Sequence, residues 1–137
     1  MTTSTVLITG TSSGLGQKTA LYFAEQGWNV AATMRDPDRD ETLRGHDNIA
    51  LIPLDVTDAA SARAGVEAAI VRFGGVDAIV NNAGVGAYGP LELASENTID
   101  QQYAVNVRGP INVIRAILPH FRARGDGVIV NVSSFMG

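Results

Sequence analysis

The chain has 137 residues, a length that fits one domain around one hydrophobic core, and 45% of them are hydrophobic. Its formal net charge of −4 and the absence of a Lys/Arg run argue against nucleic acid or a membrane surface as a partner. The chain has no cysteine. Its two histidines, His46 and His120, are far apart in the sequence, and we expect both to be exposed. We therefore expect no metal site. Without an apolar run of ~18 residues or a signal-peptide pattern, we expect a soluble, cytoplasmic protein.

Short β-like runs alternate with longer helical patterns along the chain. The predicted strands are 5–9, 28–33, 49–54, 76–80 and 128–132. A first helix is predicted over 14–26, with the apolar positions Leu15, Ala20, Phe23 and Ala24 available for burial. A second helix follows a cap at Thr57 or Asp58 and ends at Gly74.

A third, long helix is predicted over 99–124, although Gly109-Pro110 lies inside it and the proline should bend it or stand at a helix start. Strand one and strand five are nearly continuous apolar runs, typical of parallel strands that are buried on both faces. Strands that alternate with helices and are joined by right-handed crossovers form an open α/β sheet. We find no internal repeat and no interdomain linker.

A glycine-rich turn links the first strand to the first helix. Its sequence is T-G-x-x-x-G-x-G, with glycines at positions 10, 14 and 16. Glycines let the backbone turn tightly and approach a ligand, and the following helix directs unpaired N–H groups at an anion. The P-loop pattern fails because Gln17 stands where a glycine should precede Lys18, and G-x-G-x-x-G fails as well. An ordinary strand-to-helix turn is the alternative, but the position after strand one favours a dinucleotide.

Three further motifs lie at the ends of strands. They are Asp55-Val56 after strand three, Asn81-Asn82-Ala83-Gly84 after strand four, and Asn131-Val132-Ser133-Ser134 at strand five. Ligands of open α/β sheets bind outside the carboxyl ends of the strands. The four strand ends therefore point to one crevice.

The chain resembles the short-chain dehydrogenase/reductase family. The resemblance rests on five motifs in order: T-G-T-S-S-G-L-G (9–16), L-D-V-T-D (54–58), N-N-A-G (81–84), V-N-V (105–107) and G-V-I-V-N-V-S-S (127–134). It implies a three-layer Rossmann-type fold, a doubly wound parallel sheet truncated at about five strands. It also implies one NAD(P)-binding domain, 1–137, that is incomplete at its carboxyl terminus. Further implications are hydride transfer between nicotinamide and a small alcohol or carbonyl substrate, and a homo-oligomeric parent, a dimer or tetramer.

The resemblance assigns roles to individual residues. Those implied to bind the cofactor are Gly10, Ser12, Ser13, Gly14, Leu15 and Gly16 at the pyrophosphate, Asp55 and Val56 at the adenine, and Asn82, Ala83 and Gly84 at the ribose and nicotinamide. Ser134 matches the active-site serine, and Asn106 is implied to bind a water through its backbone and to help relay protons. The residues alone allow other roles: Asp55 as a helix N-terminal acid, Asn106 as a satisfied polar residue, and Ser133-Ser134 as a strand-ending turn. Asn81 is expected to be buried, with a side-chain amide that hydrogen-bonds backbone groups of neighbouring strands.

The end of strand two bears on the choice of cofactor. Met34 stands where NAD-binding relatives carry an acid, and Arg35 follows it. An arginine pairs with a phosphate through two hydrogen bonds. We therefore expect NADP(H) as the cofactor, with Arg35 bound to its 2′-phosphate. NAD(H) remains possible if Asp36 serves as the ribose acid. Arg35 could also be a solvated charge that pairs with Asp36 or Asp38.

The chain departs from the family in one respect. The family's general acid is the tyrosine of Tyr-x-x-x-Lys, about a dozen residues beyond the serine, and this sequence stops at Gly137. Lys18 is its only lysine, and no tyrosine has a lysine four residues later. We therefore expect negligible turnover from these 137 residues alone and an exposed apolar edge at strand five. Alternatives to the enzyme are a dinucleotide sensor without catalysis and a sugar-nucleotide epimerase or dehydratase; the glycine spacing and N-N-A-G disfavour the latter. Residues 85–90 should border the entrance of the substrate site.

Overall fold

The computed structural model describes residues 2–134. Five strands form one parallel sheet: β1 (Thr5–Ile8), β2 (Asn29–Met34), β3 (Ile49–Pro53), β4 (Ala78–Asn81) and β5 (Val128–Asn131). Their order is β3-β2-β1-β4-β5, and Val6 of β1 pairs with Val30 on one side and Ala78 on the other. The strand bounds differ from the predicted ones by one or two residues. The expected doubly wound α/β sheet is confirmed.

Helices cover both faces of this sheet. They are α1 (Gly14–Glu25), α2 (Ala59–Phe73), α3 (Glu96–Tyr103) and α4 (Gly109–Arg124), with 3-10 turns at Pro37–Arg39 and Leu91–Leu93. Asp58, rather than Thr57, caps α2, because its side chain accepts hydrogen bonds from the Ala60 and Ser61 amides. Gly74, at φ 82°, ends that helix in the left-handed conformation that glycine tolerates.

The long helix predicted over 99–124 is present, but the helical segment starts three residues earlier and changes its hydrogen bonding before Pro110. The helical segment begins at Glu96, where Ser95 accepts a hydrogen bond from the Thr98 amide, and α3 and α4 are separated by a π-helical turn at Ala104–Arg108. Pro110 lies in the first turn of α4, where a missing N–H is tolerated. In a regular α-helix the carbonyl of Asn106 would accept a hydrogen bond from the backbone nitrogen of residue 110, and a proline there has no proton to donate. The proline is therefore absorbed at a helix start, after a turn of different hydrogen bonding.

The core has two layers, one on each side of the sheet. Leu7 and Ile79 belong to the layer that packs against α2 and α4, where Ile117 is fully buried. Their neighbours along the strands, Val6 and Val80, belong to the layer under α1. Alternate residues of a strand point to opposite faces, so an all-apolar strand contributes to both layers.

Two expectations about burial are corrected. All four residues of β5 are exposed, with Val128 at 53% and Val130 at 44%, because within residues 2–134 β5 is an edge strand whose residues join neither core layer. The burial expected from its apolar run is therefore wrong here, and the expected exposed edge is confirmed. Leu15 is 61% exposed, because it lies in the first turn of α1 rather than on its buried face.

The carboxyl end of α4 is tied to the start of β4 by three side chains. Arg124 Nη2 lies 2.6 Å from Asp77 Oδ1, and Arg124 Nη1 donates to the Val76 carbonyl. The Val76 amide donates to His120 Nε2 at 3.1 Å. His120 is therefore half-buried and hydrogen-bonded, and the expectation that it is exposed is wrong, whereas His46 is exposed.

Candidate active site

A crevice opens at the carboxyl ends of β1 and β4, the two neighbours at which the strand order reverses direction. Ligands of open α/β sheets bind at this switch point. Two cavities of about 640 and 590 Å³ lie there and share Gly84 and Val85. The first is lined by the predicted cofactor-binding residues Gly10, Ser12, Ser13, Gly14, Leu15, Arg35, Asp55, Val56, Asn82, Ala83 and Gly84.

The glycine-rich bend presents backbone amides to the first cavity. Gly10 and Gly14 have positive φ angles of 68° and 56°, which turn the chain sharply between β1 and α1. Ser13, the N-cap residue of α1, makes no side-chain capping bond, whereas Asp58 and Ser95 cap α2 and α3. The first-turn amides of α1 are therefore left without a side-chain acceptor at the positive end of the helix dipole. Such an end binds phosphate.

Gly16 is buried behind the bend and does not line the cavity. A Cβ atom on Gly16 would overlap the Gly10 carbonyl oxygen and the Asn82 side chain. The Asn82 Nδ2 atom donates to the Thr9 and Gly10 carbonyls, both at 3.2 Å. This glycine therefore acts through close packing, because it lets α1 approach the loop after β4.

Thr9 joins the same two loops from the other side. Its Oγ1 atom accepts hydrogen bonds from the amides of Asn82 and Ala83, both at 3.0 Å. A Cβ atom on Gly10 would lie 2.8 Å from the Ala83 Cα atom, so the two loops are in direct backbone contact. These contacts join the two loops that border the crevice between β1 and β4.

Asp55 lies at the wall of the first cavity. Its Oδ1 atom accepts hydrogen bonds from the Thr57 amide at 2.9 Å and the Thr57 hydroxyl at 2.7 Å. Because Asp58 caps α2, Asp55 does not serve as the helix N-terminal acid that the sequence left open. Val56 is buried beside it, and its carbonyl accepts a hydrogen bond from the Asn112 side chain of α4 at 2.8 Å.

At the end of β2, Met34 and Arg35 both line the first cavity, and Asp36 does not. The Arg35 side chain is exposed. Within residues 2–134 it forms no salt bridge with Asp36 or Asp38, the pairing that the sequence left open. The guanidinium is therefore available to an anion in the cavity.

The second cavity contains the two predicted catalytic residues, Ser134 and Asn106, with Ser133 beside them. The Asn106 side chain holds the backbone of Val85: its Oδ1 atom accepts from the Val85 amide and its Nδ2 atom donates to the Val85 carbonyl. Asn106 is thus a satisfied polar residue, and its side chain fixes the segment that both cavities share. Its backbone lies in the π-helical turn that precedes Pro110.

Asn81 is the residue predicted to link neighbouring strands through its side-chain amide. It is buried at the end of β4, and its Nδ2 atom donates to Asn131 Oδ1 of β5 at 2.8 Å. The contact is with a side chain rather than with the backbone groups expected from the sequence. It aligns β5, and therefore the segment that carries Ser134, with the crevice.

Several wall residues were missed by the sequence reasoning. Gln101, Ala104 and Val105 line the first cavity and Gln102 lines the second. They lie on the turn of helix before Asn106, so helical spacing from the V-N-V motif is the signal that could have found them. Thr57 belongs to the quoted L-D-V-T-D motif, but its bond to Asp55 was not anticipated. Among residues 2–134 no helix is long and apolar enough to cross a membrane, and no group of acidic and histidine side chains is arranged to hold a metal.

Comparisons with known proteins agree with this architecture. The family model described as short chain dehydrogenase matches residues 4–137. The 3-ketodihydrosphingosine reductase of Bacteroides thetaiotaomicron is 40% identical over 132 residues, which cover 96% of this chain and 47% of that protein.

Solved structures superpose closely. The 3-ketoacyl-(acyl-carrier-protein) reductase of Brucella melitensis, complexed with NADH, has a TM-score of 0.90 and 38% identity over 97% of this chain and 57% of its own. The gluconate 5-dehydrogenase of Burkholderia cenocepacia, in complex with NADP and tartrate, has a TM-score of 0.88 and 32% identity over 98% of this chain and 55% of its own. The chain thus spans about half the length of the relatives it matches. From its motifs, its sheet order and these matches, the chain belongs to the short-chain dehydrogenase/reductase family.

Proposed function

We propose that this chain is the dinucleotide-binding part of an NADP(H)-dependent oxidoreductase that interconverts an alcohol and a carbonyl group on a small molecule. The observation that carries the proposal is the bend at the head of α1. Its amides have no side-chain cap, its glycines allow close approach, and it opens into a cavity of about 640 Å³. These features fit a pyrophosphate.

The proposal assigns the wall residues of the first cavity to the successive parts of a dinucleotide. In our proposal the 10–15 bend binds the pyrophosphate, Asp55 and Val56 hold the adenine, and Asn82, Ala83 and Gly84 line the nicotinamide side, with Gly16 supporting the bend. When bound, the nicotinamide would donate or accept the hydride. The chain's own part is to place that ring at the boundary with the second cavity, which Gly84 and Val85 share with the first.

The choice of NADP(H) over NAD(H) rests on Arg35 and Met34. The Arg35 guanidinium, which forms no salt bridge among residues 2–134, suits the 2′-phosphate, and position 34 carries a methionine rather than a carboxylate that would bind the ribose hydroxyls. The related structures hold NADH in one case and NADP in another, so they support a nicotinamide dinucleotide in general. NAD(H), with Asp36 as the ribose acid, is the competing assignment.

In the proposed reaction Ser134 donates a hydrogen bond to the substrate oxygen and stabilises the charge that develops there. Asn106 holds the cavity wall through Val85, and its backbone is proposed to bind a relay water. The tyrosine and lysine that complete proton transfer in the family have no counterpart in these 137 residues, so we propose that this polypeptide alone turns over negligibly. No charged side chain lines the second cavity within the described residues, which favours a substrate that is uncharged near its reacting group.

We place this enzyme in the cytoplasm and propose that the complete protein assembles as a homo-oligomer. The competing function is a sensor that binds the dinucleotide without chemistry. Both functions share the first cavity, and they differ only in whether the second cavity performs hydride transfer.

One experiment separates these functions. The protein, with whatever sequence follows Gly137 in its reading frame, is incubated with NADPH and a panel of ketones while absorbance of the reduced nicotinamide is followed. Steady oxidation that depends on a ketone and is abolished by Ser134→Ala supports the enzyme. Saturable NADPH binding without oxidation supports the sensor, and absence of binding refutes both.

A further inference from the structure

We infer that Thr57 is a positioning residue that orients the Asp55 carboxylate and thereby sets the selectivity of the site for the base of its dinucleotide. This inference rests on the proposed function, because it requires a dinucleotide in the first cavity. Both Asp55 and Thr57 line that cavity. They lie in the loop between β3 and α2, near the carboxyl edge of the sheet.

Two donors from one residue converge on one carboxylate oxygen. The Thr57 amide donates to Asp55 Oδ1 at 2.9 Å and the Thr57 hydroxyl donates to the same atom at 2.7 Å. No hydrogen bond reaches Asp55 Oδ2 within the part of the chain described. The carboxylate is therefore held by one oxygen, and the other oxygen is left for a ligand.

A free carboxylate oxygen accepts hydrogen bonds and cannot donate them. It favours a base that offers an amino group at position 6, such as adenine. It disfavours a base with a carbonyl there, such as hypoxanthine, because an oxygen held opposite position 6 faces a second acceptor, and the N1–H donor of that base lies one ring position away. The discrimination requires that the carboxylate cannot rotate to relieve this contact, and the hydroxyl of Thr57 opposes that rotation.

Thr57 can be changed without disturbing the helix that follows. Its side chain is exposed, and the cap of α2 is Asp58, whose side chain accepts from Ala60 and Ser61. Valine has the shape of threonine but lacks the hydroxyl, so Thr57→Val removes one of the two donors and leaves the backbone amide bond. Thr57→Ser restores the hydroxyl.

The test is calorimetric titration of the purified protein with NADPH and with its hypoxanthine analogue, reduced nicotinamide hypoxanthine dinucleotide phosphate. We expect the unchanged protein to bind NADPH about tenfold more tightly than the analogue. Thr57→Val should reduce this ratio at least threefold, mainly by weakening NADPH, while Thr57→Ser should keep it. Thr42→Val, an exposed threonine outside both cavities, is the matched control and should leave both affinities unchanged.

The outcomes separate this inference from the proposed function. If the unchanged protein binds neither dinucleotide, the proposed function is wrong and the inference is wrong with it. If the unchanged protein binds NADPH but Thr57→Val keeps the ratio, or weakens both ligands equally, only the role of Thr57 is refuted. Asp55→Asn gives an independent measurement, because the substituted side-chain amide can present either its NH2 donor or its oxygen acceptor to position 6 of the base. It should bring the ratio close to one, and a preserved preference for adenine would overturn the inference.

Discussion

The side-chain amide of Asn106 and the backbone of Val85 are joined by two hydrogen bonds that run in opposite directions. The Val85 amide donates to Asn106 Oδ1 at 2.9 Å, and Asn106 Nδ2 donates to the Val85 carbonyl at 2.8 Å. Val85 borders both cavities, so this contact connects the π-helical turn with the boundary between the two cavities. The arrangement requires both a donor and an acceptor on one side chain, which an amide supplies.

Replacing Asn106 with Asp should disrupt this contact. The carboxylate keeps an acceptor for the Val85 amide but places a second acceptor against the Val85 carbonyl. We expect residues 84–90 to be cleaved about tenfold faster in limited proteolysis, and any ketone-dependent turnover to fall by about tenfold or more. Asn97→Asp, on the exposed surface of α3, is the control. Equal cleavage rates in the two variants would contradict the proposed role of the amide.

Gly16 and Gly14 should tolerate replacement by alanine to different degrees. Gly16→Ala forces a methyl group against the Gly10 carbonyl and the Asn82 side chain, so we expect a loss of about 1–3 kcal/mol of unfolding free energy. We also expect a tenfold or greater loss of dinucleotide affinity, because the bend must shift. At Gly14 a Cβ atom meets nothing within 4 Å, although φ is 56°, so Gly14→Ala should cost only about 1 kcal/mol.

Denaturant unfolding and calorimetric titration of these two variants measure the difference. The predicted order is that Gly16→Ala loses more affinity than Gly14→Ala. The reverse order would mean that Gly16 is not the packing contact between α1 and the Asn82 loop.

Arg35 should determine the preference between the two nicotinamide dinucleotides. Arg35→Ala removes the guanidinium and should weaken NADPH by tenfold or more, while NADH changes little. Arg39→Ala removes an exposed arginine of the neighbouring 3-10 turn that does not line the cavity, and it should leave both affinities unchanged. Tighter binding of NADH than NADPH by the unchanged protein would show that the NADP(H) assignment is wrong.

Asp77 should make the stability of the fold depend on acid pH. Burial raises the pKa of Asp77, but hydrogen bonds from the Thr5 amide and Arg124 outweigh it and hold the pKa below its ordinary value of 3.8. A carboxyl whose pKa is lowered by folding stabilises the fold above the pKa of the unfolded chain, and that contribution disappears as pH falls through the lower, folded pKa.

Asp77→Asn should therefore destabilise the protein by about 1 kcal/mol at pH 7, a modest figure because the ion pair is partly exposed. The difference from the unchanged protein should shrink as the pH falls below 3.8, the ordinary pKa of the group. Urea unfolding from pH 7 to pH 2.5 measures this, with the exposed Asp38→Asn as control. A difference that stays constant across this range would rule out the ionised carboxylate as its source.

The sheet and most of the lining of the first cavity could be predicted because their signals are local. Apolar runs that end in glycine or amide motifs predicted the strands and the crevice at their carboxyl ends. The π-helical turn within the third helix could not be predicted. Pro110 indicates that the backbone hydrogen bonding must change near it, but it does not indicate which kind of turn results. The hydrogen bonds of His120 with Val76 and of Thr57 with Asp55 depend on where the backbone places the two partners. Residue type alone does not predict these positions. The exposure of β5 depends on which elements cover it.

The proposed function depends on the bend at Gly10–Gly16 holding a diphosphate. A crystal structure of the protein grown or soaked with NADPH tests this most directly. We predict density for the pyrophosphate against the first-turn amides of α1, with the adenine ribose toward Arg35. A dinucleotide located at the amino-terminal edge of the sheet, beside Asp77 and Arg124, with the bend empty, would contradict the account.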